Sequence, residues 1–153
     1  VSANNFLHGL LFFLMLASCT LAFADESKCF RQASAHYGVP EDLLRAISHV
    51  ESHGNTSARN TNKNGSTDYG HMQINSYWLP TLARHGITES DLMNACTNTY
   101  VGAWILASNI SRMGYRWEAV GAYNSMNPER AATYMKKVAV ALHAKTTNTG
   151  DRK

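Results

Sequence analysis

The chain has 153 residues, 44% of them hydrophobic and 16% charged, with 14 Lys and Arg against 11 Asp and Glu for a net charge of +3. That length suits one domain able to bury a core without a metal or several disulfides. The balance is mildly basic but contains no dense Lys/Arg run, so a nucleic-acid partner is not expected; an acidic polymer, such as a cell-wall glycan with peptide carboxylates, suits it better.

Residues 1–24 carry no Asp, Glu, Lys or Arg, and Leu10 to Ala17 form an apolar run too short to span a bilayer. Ala22 and Ala24 place small residues at the −3 and −1 positions of a cleavage site, so residues 1–24 read as a secretory signal peptide and the mature protein as periplasmic. Leu16-Ala17-Ser18-Cys19 also resembles a lipobox, which would anchor a lipoprotein at Cys19. Either route leaves Cys29 and Cys96, a pair expected as one structural disulfide in an oxidising compartment.

The folded domain is expected over residues 25–144, mainly helical with a small β-hairpin, followed by a polar and disordered tail over 145–153. A first helix is predicted from Glu26 to Tyr37, capped by Asp25 and closed by Gly38. Pro40 opens the second at its first helical position, and Leu43, Leu44, Ile47 and Val50 make one apolar face. Gly54 stops it and leaves Glu51 in the last turn. From Asn55 to Asn75 the composition turns to Asn, Thr, Ser and Gly, and Asn64-Gly65 is a strong hairpin-turn signal. Ser76 is expected to cap a helix that Gly86 ends, with Pro80 in its first turns. A short helix near Glu89 to Asn94, a long one from Thr97 to Met113, a short one from Trp117 to Tyr123 and a last one opened by Asn127-Pro128 complete the chain. The last buries Ala131, Tyr134, Met135, Val138, Ala139 and Leu142.

Glu51 and Asp68 lie 17 residues apart, one ending an amphipathic helix and the other in a polar turn-rich segment. Such a pair is the equipment for acid-catalysed cleavage of a glycosidic bond, the lysozyme division of labour between two carboxylates being the established precedent. Glu51, beside an apolar stripe, is the natural general acid, because partial burial penalises its charged form. Asp68 is placed to stabilise a cationic centre or to act as nucleophile. His49 and His53 stand at i, i+4 with His71 downstream, but without the acidic pattern of a zinc peptidase, so no metal and no cofactor is expected. Trp78 and Trp104 read as core aromatics, with a sugar platform as the alternative for Trp78, which follows the cleft motif closely.

Gly65 to Gly70, with Gln73-Ile74-Asn75-Ser76 and Trp78, resembles the hairpin of c-type lysozymes. The wider chain, residues 26 to 143, is similar to the small lytic transglycosylases of IagB/IpgF type that accompany bacterial secretion, conjugation and pilus systems. The similarity rests on Cys29-Phe30, Tyr37-Gly38-Val39-Pro40, Glu51-Ser52, Gly70-His71-Met72-Gln73-Ile74-Asn75, Cys96 with Val101 to Leu106, and Ala122-Tyr123-Asn124. The resemblance implies a lysozyme-like α+β fold. It implies Glu51 as the single acid/base, Tyr69, Met72, Gln73, Asn75, Tyr123 and Asn124 as cleft residues, and Tyr123 and Asn124 facing the glutamate and substrate. The chain departs from the family pattern at His71, where Leu is usual, and after Ser125, where Gly is missing. The implied activity is cleavage of the β-1,4 bond between N-acetylmuramic acid and N-acetylglucosamine in peptidoglycan with a 1,6-anhydro product, by a monomer that opens the wall for an envelope-spanning machine. Hydrolysis by a muramidase using Glu51 and Asp68, and a silent glycan-binding assembly protein on the same fold, are the alternatives.

Overall fold

The computed structural model describes residues 27–150, with side chains as far as residue 144. The expected signal peptide, Cys19, the Asp25 cap and the last three residues lie outside the described residues. Helix α1 covers residues 27–37. It closes at Gly38, whose φ of +65° and N–H to the Ser34 carbonyl (2.9 Å) make the left-handed exit that glycine adopts most cheaply.

Helix α2 runs Glu41–Ser52. Pro40 is its N-cap rather than its first helical residue: its ψ of 132° is extended while its carbonyl already accepts from the Leu44 N–H (3.1 Å). Arg45 pairs with Glu41 (2.7 Å) and also reaches the Ser27 carbonyl and hydroxyl, tying α2 to the start of α1. The exit needs two left-handed residues in succession, His53 (φ 56°) and Gly54 (φ 78°), and the Gly54 N–H closes back on Ser48. The helix therefore stops one residue beyond Glu51, which keeps that side chain at the open end of a buried stripe.

The expected hairpin is present and gains a strand. Strands β1 (Arg59–Thr61), β2 (Thr67–Tyr69) and β3 (Ile74–Asn75) form an antiparallel sheet in that order, with Asn60 opposite Asp68 and Asp68 opposite Asn75. A 3-10 turn, Ser76–Trp78, leads into the short helix α3, Leu79–Ala83. The cap of the 3-10 turn is Asn75, whose side chain accepts from the Tyr77 N–H (2.9 Å), and not the expected Ser76. The Ser76 hydroxyl is committed to the sheet, accepting from the Thr67 N–H (3.1 Å).

Another 3-10 turn, Ser90–Met93, precedes α4, Ala95–Met113, capped by the Asn94 side chain and ended at Gly114. Helix α4 buries residues around much of its circumference, among them Asn98, Thr99, Val101, Gly102, Ile105, Leu106 and Asn109, and so forms the axis of the core. Helices α5 (Trp117–Asn124) and α6 (Pro128–Gly150) follow, and α6 packs on both α2 and α5. The bounds of α6 extend into the segment expected as a tail. None of the described helices is long and apolar enough to cross a membrane.

Two buried polar residues fasten the β2–β3 turn to this frame. Asn98 donates to the carbonyls of Tyr69 (2.8 Å) and Leu92 (2.9 Å) and accepts from the Met72 N–H (2.8 Å). Gly70 must be glycine here: its φ is +67°, and a Cβ would collide with the Asn98 carboxamide. His71 is fully buried, with Nδ1 at 2.8 Å from the Ser48 hydroxyl and Nε2 at 3.1 Å from both the Ala95 carbonyl and the Thr99 hydroxyl. The buried imidazole is thereby satisfied by two hydroxyl-bearing neighbours and a backbone carbonyl.

Cys29 and Cys96 are joined, linking α1 to the first turn of α4 across a sequence separation of 67 residues. A loop of that length corresponds to about 4 kcal/mol in the chain-entropy account. The Cys29→Ser, Cys96→Ser double variant is expected to melt on the order of 15 °C lower than the oxidised protein. An unchanged melting temperature would show that the crosslink does not constrain the unfolded chain.

Candidate active site

Glu51 projects from the last turn of α2 toward α6, where the Tyr134 hydroxyl donates a hydrogen bond of 2.6 Å to its Oε1. Tyr134 is only 5% exposed, so this contact sits at the edge of the core. Burial pushes the Glu51 carboxyl up from 4.5 to about 7; the Tyr134 hydrogen bond lowers it, the Asp68 carboxylate raises it, and Lys137 lowers it. Burial is the largest of the four influences. A carboxyl poised there holds its proton in a good fraction of molecules at neutral pH and accepts one back readily, as a general acid and base must.

Two tyrosine rings back this carboxyl. Tyr123 and Tyr134 stack with centroids 6.5 Å apart and planes 10° from parallel, and the Tyr123 hydroxyl donates to the Met72 carbonyl (3.0 Å). Burial first, and then the negative charge of Glu51, raises the pKa of both phenols well above its ordinary value. Both therefore remain neutral hydrogen-bond donors. Gly102 of α4 makes room for this layer: a Cβ there would come within 2.6 Å of the Met72 methyl and 2.9 Å of the Tyr123 hydroxyl.

Asp68, in the middle of β2, receives one amide donor on each oxygen: Asn75 on Oδ1 (2.6 Å) and Asn62 on Oδ2 (2.8 Å). The cross-strand register that sets Asn75 opposite Asp68 makes the first of these possible. The carboxylate is thus oriented by its two neighbours and close enough to Glu51 for their charges to interact.

The other cleft candidates divide by exposure. Tyr69 is 3% and Met72 0% exposed, so their side chains lie beneath the site, Tyr69 with the Arg59 guanidinium over its ring (5.1 Å). Gln73 is partly exposed at a left-handed φ of 49°, a strained position for a non-glycine residue, and its amide donates to the Gly70 carbonyl (2.8 Å). Asn124 is exposed and lines a pocket with Tyr134. Trp78 and Trp104 pack on each other, rings 5.3 Å apart and nearly perpendicular. His49 and His53 form a ring pair (4.9 Å), His71 is engaged by Ser48, Ala95 and Thr99, and among the described residues no three His, Cys, Asp or Glu side chains gather to hold a metal. The residue that sequence reasoning passed over is Tyr134, which reads as one more apolar position on the last helix.

The sequence matches the family described as "Transglycosylase SLT domain" over residues 28–139. It is 40% identical over 130 residues to the "Invasion protein IagB" of Salmonella typhimurium, covering 82% of this chain and 79% of that protein. It is 38% identical over 114 residues to "Protein IpgF" of Shigella flexneri, covering 74% and 75%, and 34% identical over 140 residues to a "Peptidoglycan-binding-like protein" of Escherichia coli O157:H7, covering 84% and 83%.

The raised Glu51 carboxyl has a consequence for stability. Because the folded state binds this proton more tightly than the unfolded chain, stability falls as pH rises from 4.5 toward about 7, by up to about 3 kcal/mol. Glu51→Gln removes the penalty, so its melting temperature relative to the parent protein is expected to be higher at about pH 8 than at about pH 5. A pH-independent difference would contradict the burial of an ionisable Glu51.

Proposed function

The chain belongs to the transglycosylase SLT family and is a lytic transglycosylase acting on peptidoglycan; from that premise we propose that Glu51 cleaves the β-1,4 bond between N-acetylmuramic acid and N-acetylglucosamine and leaves a 1,6-anhydro end. The observation that carries the proposal is the Glu51 carboxyl, raised to about 7 by burial and oriented by Tyr134.

In this reaction the protonated Glu51 gives its proton to the glycosidic oxygen as the bond to the muramyl anomeric carbon breaks. Positive charge builds on that carbon and its ring oxygen. Asp68, held by Asn62 and Asn75, supplies a fixed negative charge on the sheet side of the site. The muramyl 6-hydroxyl then attacks the anomeric carbon and gives its proton to the Glu51 carboxylate, which returns the enzyme to its starting state without consuming water. Attack from within the same sugar benefits from the high effective concentration of a tethered nucleophile. The amide hydrogen bonds on both Asp68 oxygens suit this electrostatic role, and the match to the transglycosylase SLT family over residues 28–139 supports the transglycosylase over the muramidase alternative. A silent glycan binder on the same fold has no use for a carboxyl raised at this cost.

Export to the periplasm fits the Cys29–Cys96 bond, which needs an oxidising compartment. The similarity to a protein named for invasion supports a role in opening the wall locally for an envelope-spanning assembly.

Residues 25–153 incubated with purified cell wall are expected to release muropeptides whose ends are lighter by one water than reducing ends, read by mass spectrometry. Glu51→Gln is expected to abolish release, and Asp68→Asn to slow it without changing the product. Reducing ends, or near-parental activity of Glu51→Gln, would overturn the proposal. Tyr134→Phe removes an influence that lowers the Glu51 carboxyl, so the alkaline limb of its pH–rate profile is expected at higher pH than in the parent; Asp68→Asn removes one that raises it, and its limb is expected at lower pH.

A further inference from the structure

Beside Tyr134 the surface opens into a polar pocket of about 380 Å³ between the end of α5 and the first turns of α6, lined by Asn124, Glu129, Arg130, Thr133, Tyr134 and Lys137. Tyr134 belongs both to this pocket and to the Glu51 hydrogen bond, so the pocket adjoins the residue that holds the acid. Arg130, Tyr134 and Lys137 stand at i, i+4 and i+7, which puts all three on one face of α6. Among the described residues neither cation takes part in an ion pair, although Lys137 acts at longer range on the Glu51 carboxyl. Lys137 also edges a groove of about 560 Å³ between α2 and α6, where Lys136 lies with His49 and His53.

The sugars of a glycan strand are neutral, and neither of these cations is needed to protonate a glycosidic oxygen. The anionic groups that peptidoglycan brings to such a site are the carboxylates of the peptides hung on the muramyl lactyl group. Glu129 leaves the pocket with one positive charge in excess, and its own carboxylate offers a place for an ammonium on the same peptide. We infer that the Asn124–Lys137 pocket receives the stem peptide of the muramic acid being cleaved, with Arg130 and Lys137 pairing its carboxylates. The inference rests on the activity proposed above and names the part of the polymer that this end of the site selects.

The test compares soluble glycan strands carrying native stem peptides with the same strands after the peptide carboxylates have been converted to methylamides. The parent protein is expected to show kcat/KM about tenfold higher on native strands, and Arg130→Gln or Lys137→Gln to reduce that ratio about threefold each, as expected for exposed charge pairs. Lys137 also acts on the Glu51 carboxyl, but that influence applies to both substrates and cancels in the ratio. Both side chains are exposed, so neither variant threatens the core, and circular dichroism verifies the fold. A parental ratio near one, or a ratio unchanged in both variants, overturns the inference. Failure of the parent protein to cleave either substrate would instead overturn the proposed function.

Discussion

A carboxyl group at the edge of a protein core needs a partner, and here the partner comes from 83 residues away: the Tyr134 hydroxyl on Glu51 at 2.6 Å. Most of the surrounding architecture makes that contact possible. The abrupt left-handed exit of α2 at His53 and Gly54 leaves Glu51 at the open end of the helix's buried stripe. Helix α6 approaches closely because Gly121 of α5 has no side chain; a Cβ there would come within 3.0 Å of the Ala131 methyl and 3.1 Å of Met135. Val138, one turn beyond Tyr134, is fully buried and fixes the rotation of α6. The hydrogen bond and burial act on the carboxyl in opposite directions, and burial prevails.

The opposite wall of the site is built from polar side chains rather than apolar packing. Asn98 serves three backbone groups of the β2–β3 region and its approach, and His71 joins α2 to α4 through Ser48, Ala95 and Thr99. The Ser52 hydroxyl, next to Glu51, donates to the His71 carbonyl (3.0 Å), so the sheet and the glutamate share one set of supports. A sheet of strands only two and three residues long could not hold Asp68 in place by its own ladder. The fixed orientation of Asp68 follows from this anchoring together with its two asparagine neighbours.

Local chemistry made much of this legible in the sequence. Gly38 and Gly114 stand at positive φ where helices stop, and Pro40 stands at a helix start, because those residues act through their own backbone dihedrals; the helix expected to run to Gly86 ends earlier, at Ala83. Glu51 was recognisable because its place at the end of an apolar stripe, 17 residues before Asp68 in a polar turn, is itself a local pattern. What could not be read depends on partners distant in sequence. Tyr134 fits the apolar periodicity of α6 whether or not its hydroxyl finds a carboxylate, and no motif distinguishes the two cases. The exchange of capping roles between Asn75 and Ser76 follows from the pairing of β2 with β3, since a Ser76 hydroxyl engaged by Thr67 is no longer available to a helix. The satisfaction of His71 likewise required knowing that Ser48 and Thr99 converge on one imidazole.

The account turns on one proton. If burial beside Tyr134 is what equips Glu51 to act as acid and base, then its carboxyl must titrate far above an ordinary glutamate. An NMR titration of the Glu51 side-chain carboxyl carbon in the folded protein measures this directly. The expected midpoint is about 7, and a midpoint near the ordinary value of 4.5 would contradict the account.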